Sequence, residues 1–153
     1  MNSTSIFNIL LADDDNDDCL LFRDAIEELK LPVQLVTLHD GEKLIMHLES
    51  VSPDLPDLIF LDLNMPRKNG FECLTEIKNH SDLNTIPVII YSTSFDKEKA
   101  FLLNKAGARY YICKPANFND LKTVIYRAIM LINENNTQVS ADKFLINKSC
   151  NAL

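Results

Sequence analysis

LIFLDLNMPRKNG, residues Leu58 to Gly70, joins one short apolar run to one carboxylate, Asp62, at its C-terminal end. Four consecutive apolar residues, Leu58 to Leu61, bounded by turn formers predict a strand buried on both faces. Pro66, Asn69 and Gly70 mark the loop that follows. An aspartate at the end of such a strand sits where open α/β sheets bind ligands, outside the carboxyl ends of the strands. Aspartate also starts turns and caps helices, so Asp62 gains meaning only from what the other strand ends carry.

Outward from this stretch the same alternation repeats. Ile6 to Ala12 reads as a first strand, followed at once by Asp13, Asp14, Asp15, Asn16, Asp17 and Asp18. Asp15 or Asn16 can cap a helix with apolar positions Leu20, Leu21, Ala25, Ile26 and Leu29. Val33 to Leu38, rich in branched residues, reads as a second strand, and a helix through Leu44, Ile45 and Leu48 ends before Pro53. After Gly70 a helix runs through Phe71, Leu74 and Ile77 to about Asn79. Pro87 opens a fourth strand, Val88 to Tyr91, which ends in Ser92, Thr93 and Ser94. Asp96 to Ala106 is helical and stops at Gly107, a C-cap signal. Tyr110 to Cys113 makes a fifth strand ending in Lys114-Pro115, and a last helix spans Phe118 to Ile132.

Five strands alternating with five helices predict a flavodoxin-like, doubly wound α/β fold. Its five-stranded parallel sheet has order 2-1-3-4-5, with helices on both faces. Residues 1–133 form this one domain. Residues 134–153 are polar, with Phe144 to Ile146 as an apolar island, and read as a loosely ordered tail.

Composition removes several function classes. With 153 residues there is room for one full core, and the 46% hydrophobic fraction is that of an ordinary globular protein. A net charge of −7 argues against direct nucleic-acid binding, and no apolar run reaches membrane-spanning length. Cys19, Cys73, Cys113 and Cys150 are scattered, without zinc-ligand spacing, which fits a reducing cytoplasm. The three glycines, Gly41, Gly70 and Gly107, supply neither a dinucleotide fingerprint nor a P-loop.

The strand ends together suit one chemistry. Asp13, Asp14 and Asp62 would crowd carboxylates into one pocket, which raises a pKa unless a cation is shared. A hard divalent ion such as Mg2+ resolves the conflict. Asp15, Asp17 and Asp18 read instead as charges favouring a helix N-terminus. Ser92 adds a hydroxyl and Lys114 an ammonium on the same rim. With them, the Asp62 carboxylate can attack phosphorus while Lys114 and Ser92 hold phosphoryl oxygens in flight.

LLADDD, LDLNMPRKNG, VIIYSTS and YICKP together resemble the four signature stretches of the response-regulator receiver domain of two-component signalling. The resemblance covers about Ile6 to Ile132, and the long turn between Asn79 and Pro87, with Asp82 and Leu83, looks most like the stand-alone receivers that partner phytochrome-type and related kinases. It implies that Asp62 is the phosphoacceptor, Asp14 a direct Mg2+ ligand, Asp13 a ligand through water, and the Asn64 carbonyl a further ligand. It implies that Ser92 is the switch hydroxyl, Lys114 the phosphate-binding lysine, and Tyr111 an aromatic that turns inward on activation. It also implies a cis bond at Lys114-Pro115. The implied partners are a sensor histidine kinase or histidine phosphotransfer protein and a downstream target protein. The chain itself would catalyse only its own phosphorylation and dephosphorylation.

Two positions depart from the family pattern. Thr93 stands where many receivers carry Ala or Gly, and would narrow access for a bulky phosphodonor. Asn69 stands where Asp is frequent, and still makes the turn before Gly70. No output module follows Ile132, so the output is expected to be a surface, the face of the fourth helix, fifth strand and fifth helix. Tyr126, Ile129, Met130 and Leu131 spread apolar character around that last helix, which predicts burial by a target, by a second copy in a homodimer, or by the Phe144 to Ile146 island. A Mg2+-dependent phosphohydrolase of the haloacid-dehalogenase type is the alternative. It places its nucleophile on the first strand in an Asp-x-Asp-x-Thr/Val run, whose Thr or Val is missing after Asp13. A flavodoxin-like FMN site would need a phosphate loop where three acids stand.

Overall fold

Each apolar run becomes a strand, and all five helices that follow begin on an Asp or Asn cap, the fifth on Asn117, whose Oδ1 accepts the Asp120 N–H at 2.8 Å. The computed structural model describes residues 5–134 and 139–146. Strands β1 (Phe7–Ala12), β2 (Val33–Leu38), β3 (Leu58–Leu61), β4 (Val88–Ser92) and β5 (Tyr110–Cys113) alternate with five helices. These are α1 (Asn16–Leu29), α2 (Gly41–Val51), α3 (Gly70–Asn79), α4 (Lys97–Lys105) and α5 (Phe118–Glu134). The side chains of Asp15, Asp40, Asn69 and Asp96 accept first-turn N–H groups of α1, α2, α3 and α4, at 3.0, 2.8, 2.9 and 2.9 Å respectively. Those N–H groups have no partner inside their helices, so each cap sets where its helix begins.

All strand pairs are parallel, in the order β2-β1-β3-β4-β5-β6. The first five follow the expected order. The sixth corrects the expectation of a five-stranded sheet: β6 (Leu145–Ile146) comes from the stretch read as a loose tail, after a short 3-10 turn, Ala141–Lys143. Tyr111 donates its N–H to the Phe144 carbonyl at 2.9 Å, so the open edge of β5 finds a partner inside the chain. The rest of that stretch lies outside the described residues.

Two apolar layers flank the sheet. On one side α1 and α5 pack Phe22, Ile26, Val124 and Ala128 onto Phe60 and Tyr91. There the Phe22, Phe60 and Tyr91 rings meet edge to face, 4.9–6.2 Å apart. On the other side α2, α3 and α4 bring Leu44, Leu48, Leu74, Ile77 and Leu103 onto Leu10, Ile59 and Ile90. The buried face of α1 is Cys19, Phe22, Ala25 and Ile26, while Leu20 and Leu21 are exposed. The helical register therefore runs one step away from the apolar pair that the sequence offered. In α5, Ile129 joins the core, and Tyr126 and Met130 face outward. The cis peptide bond is Ser52–Pro53, not Lys114–Pro115 as the resemblance implied.

Candidate functional site

Register alone brings the strand-end residues together. Ala12 pairs with Leu61, so Asp13 and Asp62 leave adjacent strands at the same level. Asp62 donates its N–H to the Ala12 carbonyl and Asp13 donates its own to Leu38, both at 2.9 Å. Ser92 pairs with Cys113, and Lys114 donates its N–H to the Ser92 carbonyl at 2.7 Å. Side chains 101 positions apart from first to last, Asp13 through Lys114, thus share one rim.

The carboxylates of Asp13, Asp14 and Asp62 each place an oxygen within 4.8 Å of the other two. Asp13 and Asp62 are buried and Asp14 is exposed, so the cluster opens to solvent on the Asp14 side. Asp13 is further fixed by the Asp15 N–H, which donates to its Oδ1 at 3.0 Å. The Lys114 ammonium lies 2.7 Å from Asp13 Oδ2, 2.8 Å from Asp18 Oδ2 and 3.8 Å from Asp62 Oδ2. It also sits 5.1 Å from the centre of the Tyr91 ring.

Burial drives the Asp62 carboxyl up to about 7, against the opposing pull of Lys114, with Asp13 adding repulsion. Burial also works against the Lys114 charge, but hydrogen bonds to Asp13 and Asp18 outweigh it and hold the ammonium above its ordinary range. A single ammonium faces more carboxylates than it can neutralise. The remaining donors are all hard oxygens, the set that a divalent cation of the Mg2+ or Ca2+ type prefers.

Asp18 has a contact that the sequence reading did not foresee. It does sit in the first turn of α1, yet its carboxylate reaches across to Lys114. Within a run of six polar residues nothing local tells which one faces β5. Asn64 is exposed beside the site, and its N–H points to Asp62 Oδ1 at 3.5 Å, a long contact. The Ser92 hydroxyl is buried and has no hydrogen-bond partner among the described residues.

Tyr111 lies fully inward, 1% exposed, with its hydroxyl donating to the Ser94 carbonyl. Its ring packs edge-on to Phe95 and Phe144, at 5.2 and 6.2 Å. Thr93 is exposed at the mouth of the site. Gly70 closes its floor: a Cβ there would lie 2.3 Å from the Asp62 carbonyl oxygen. Asn69 completes a capping box with Glu72, each side chain accepting the other's N–H at 2.9 Å.

Comparison with known proteins identifies the family and the fold. The family model described as the response regulator receiver domain matches residues 9–126. Response regulator Rcp1 of Synechocystis sp. is 33% identical over 117 residues, covering 74% of this chain and 80% of Rcp1. The crystal structure of the phosphorylated cyanobacterial phytochrome response regulator RcpA superposes with a TM-score of 0.78 at 31% identity. It covers 89% of this chain and all of RcpA. The Mn2+-bound form of Rcp1 superposes with a TM-score of 0.72 at 29% identity, covering 88% of this chain and 99% of that one. Neither the phosphohydrolase nor the FMN reading is favoured by these matches. The chain belongs to the response regulator receiver domain family, the phosphorylation-dependent switches of two-component signalling.

Proposed function

We propose that Asp62 accepts the phosphoryl group, in a reaction that requires Mg2+ held by Asp14, Asp62 and the Asn64 carbonyl, with Asp13 acting through water. The observation that carries this reading is the convergence of three carboxylates within 4.8 Å beside the Lys114 ammonium. Bound there, Mg2+ supplies positive charge to the carboxylates and to the phosphoryl oxygens.

Ionised Asp62 attacks phosphorus. The bond from phosphorus to the donor's histidine nitrogen breaks, and that nitrogen leaves with its electron pair. Lys114, already 3.8 Å from Asp62 Oδ2, binds a phosphoryl oxygen, and the unpartnered Ser92 hydroxyl donates to another. The donor is a sensor histidine kinase or a histidine phosphotransfer protein. RcpA is described as a cyanobacterial phytochrome response regulator, which favours a phytochrome-type kinase. A downstream target protein reads the result on the face of α4, β5 and α5, where Phe101, Tyr126 and Met130 are exposed.

Acetyl phosphate with Mg2+ is the direct test. Mass spectrometry should find one added phosphoryl group, labile to hydroxylamine, absent in Asp62→Asn and absent in excess chelator. Ser92→Ala should still be labelled but lose the accompanying change in amide exchange. Labelled Asp62→Asn protein would overturn the assignment.

A further inference from the structure

The segment 139–146 does more than extend the sheet. It meets Tyr111 at two points. The Phe144 carbonyl takes the Tyr111 N–H at 2.9 Å, and the Phe144 ring packs edge-on to the Tyr111 ring. Phe144 and Ile146 are 3% and 1% exposed, a degree of burial typical of core residues. Phe144 lies in the layer of α2, α3 and α4, and Ile146 lies in that of α1 and α5, so the segment is anchored on both sides of the sheet. Asn104 of α4 adds a third anchor by donating to the Val139 carbonyl at 3.3 Å.

Tyr111 is thus held inward at its amide and at its ring. The other end of its side chain is held by the Ser94 carbonyl, two residues beyond Ser92 on the loop after β4. Ser92 carries the buried hydroxyl without a partner. From the rim at Ser92 the chain leads to Ser94, and contacts run from Ser94 through Tyr111 to Phe144.

We propose that segment 139–146 is a built-in strap that holds Tyr111 inward, and that its docking and the phosphorylation of Asp62 strengthen each other. The inference rests on the reading of Asp62 as the phosphoacceptor. Movement of Ser92 toward a phosphoryl oxygen favours the packing in which Tyr111 stays inward. The strap favours that same packing from the opposite end. Two events that select one state are coupled, and the coupling is reciprocal: the factor by which the strap tightens phosphoryl binding is the factor by which the phosphoryl group tightens the strap. The strap is thus part of the switch, and it sets how easily the unmodified protein reaches its active packing.

The Tyr111 amide is the reporter, because its acceptor belongs to the strap. The experiment uses the full chain with Mg2+ and beryllium trifluoride as the phosphoryl probe. Probe binding should slow Tyr111 amide hydrogen exchange about fivefold or more, the lower end of couplings between sites. Phe144→Ala should weaken the probe by a similar factor, and Phe144→Leu, which keeps an apolar filler, should recover part of the loss. The wild-type exchange measurement needs no variant and stands if Phe144→Ala does not fold. Unchanged or faster Tyr111 exchange in probe-bound wild type would overturn the strap. So would wild-type probe affinity in folded Phe144→Ala. Wild type that neither binds the probe nor accepts phosphate would instead overturn the reading of Asp62, and the strap with it.

Discussion

Asp62 is buried beside Asp13 and only 3.8 Å from Lys114, and burial wins: its carboxyl is pushed up to about 7. In the unfolded chain an aspartate titrates near 3.9. The fold therefore prefers the protonated form, and this contribution to stability is full below about pH 4 and lost as pH rises through about 7. In chelator, the Tm of wild type should fall between pH 5.5 and 8 more steeply than that of Asp62→Asn. Thermal unfolding of both proteins across that range checks this, and parallel slopes would refute it. On the proposed reading, the same charge that costs stability would make the group nucleophilic once ionised.

The α3 N-terminus shows how one element holds the site. Asn69 and Glu72 close the capping box, and the Gly70 N–H donates to the Leu63 carbonyl at 2.9 Å. Gly70 lets α3 approach the Asp62 backbone more closely than any side chain permits. Ala is the better helix former by about 1 kcal/mol, yet here its Cβ meets backbone that cannot swing aside. Gly70→Ala should therefore cost roughly 1–3 kcal/mol, as overpacked sites do, and slow labelling by acetyl phosphate. Asn69→Ala loses a cap worth about 1 kcal/mol and should leave the labelling rate near that of wild type. Urea melts and labelling rates separate the two effects.

Across the whole molecule, stability is linked to the charge on the rim. A ligand bound only by the folded state at a hundred times its dissociation constant adds about 2.7 kcal/mol. Saturating Mg2+ should accordingly raise the Tm by roughly 5–11 °C for a chain of this size, and Asp14→Ala should lose most of that shift. Calorimetry with and without Mg2+ tests it. A second whole-molecule consequence concerns assembly. With β6 seated on β5, a second copy finds no free β5 edge, so the unmodified chain should sediment as a monomer. A dimer would mean that another part of the α4, β5 and α5 face joins the copies, with exposed Phe101 and Tyr126 the first positions to change to Lys.

Much of this was open to a reader of the sequence alone. Apolar runs, proline and glycine punctuation and helix caps are local signals. They sufficed for five strands, their order, and the placement of Asp13, Asp62, Ser92 and Lys114 on one rim, because parallel strands align their carboxyl ends. Tertiary structure decided the rest. Which acid turns toward Lys114 depends on the rotation of α1 against β5, and that rotation was set by the burial of Cys19 and Phe22 rather than Leu20 and Leu21. The inward Tyr111 meets Phe144, 33 positions away in the chain. A two-residue strand carries no periodicity of its own. β6 exists only because β5 offers unpaired backbone groups and the two faces of the sheet offer apolar surface, and both appear only after the other five strands have assembled.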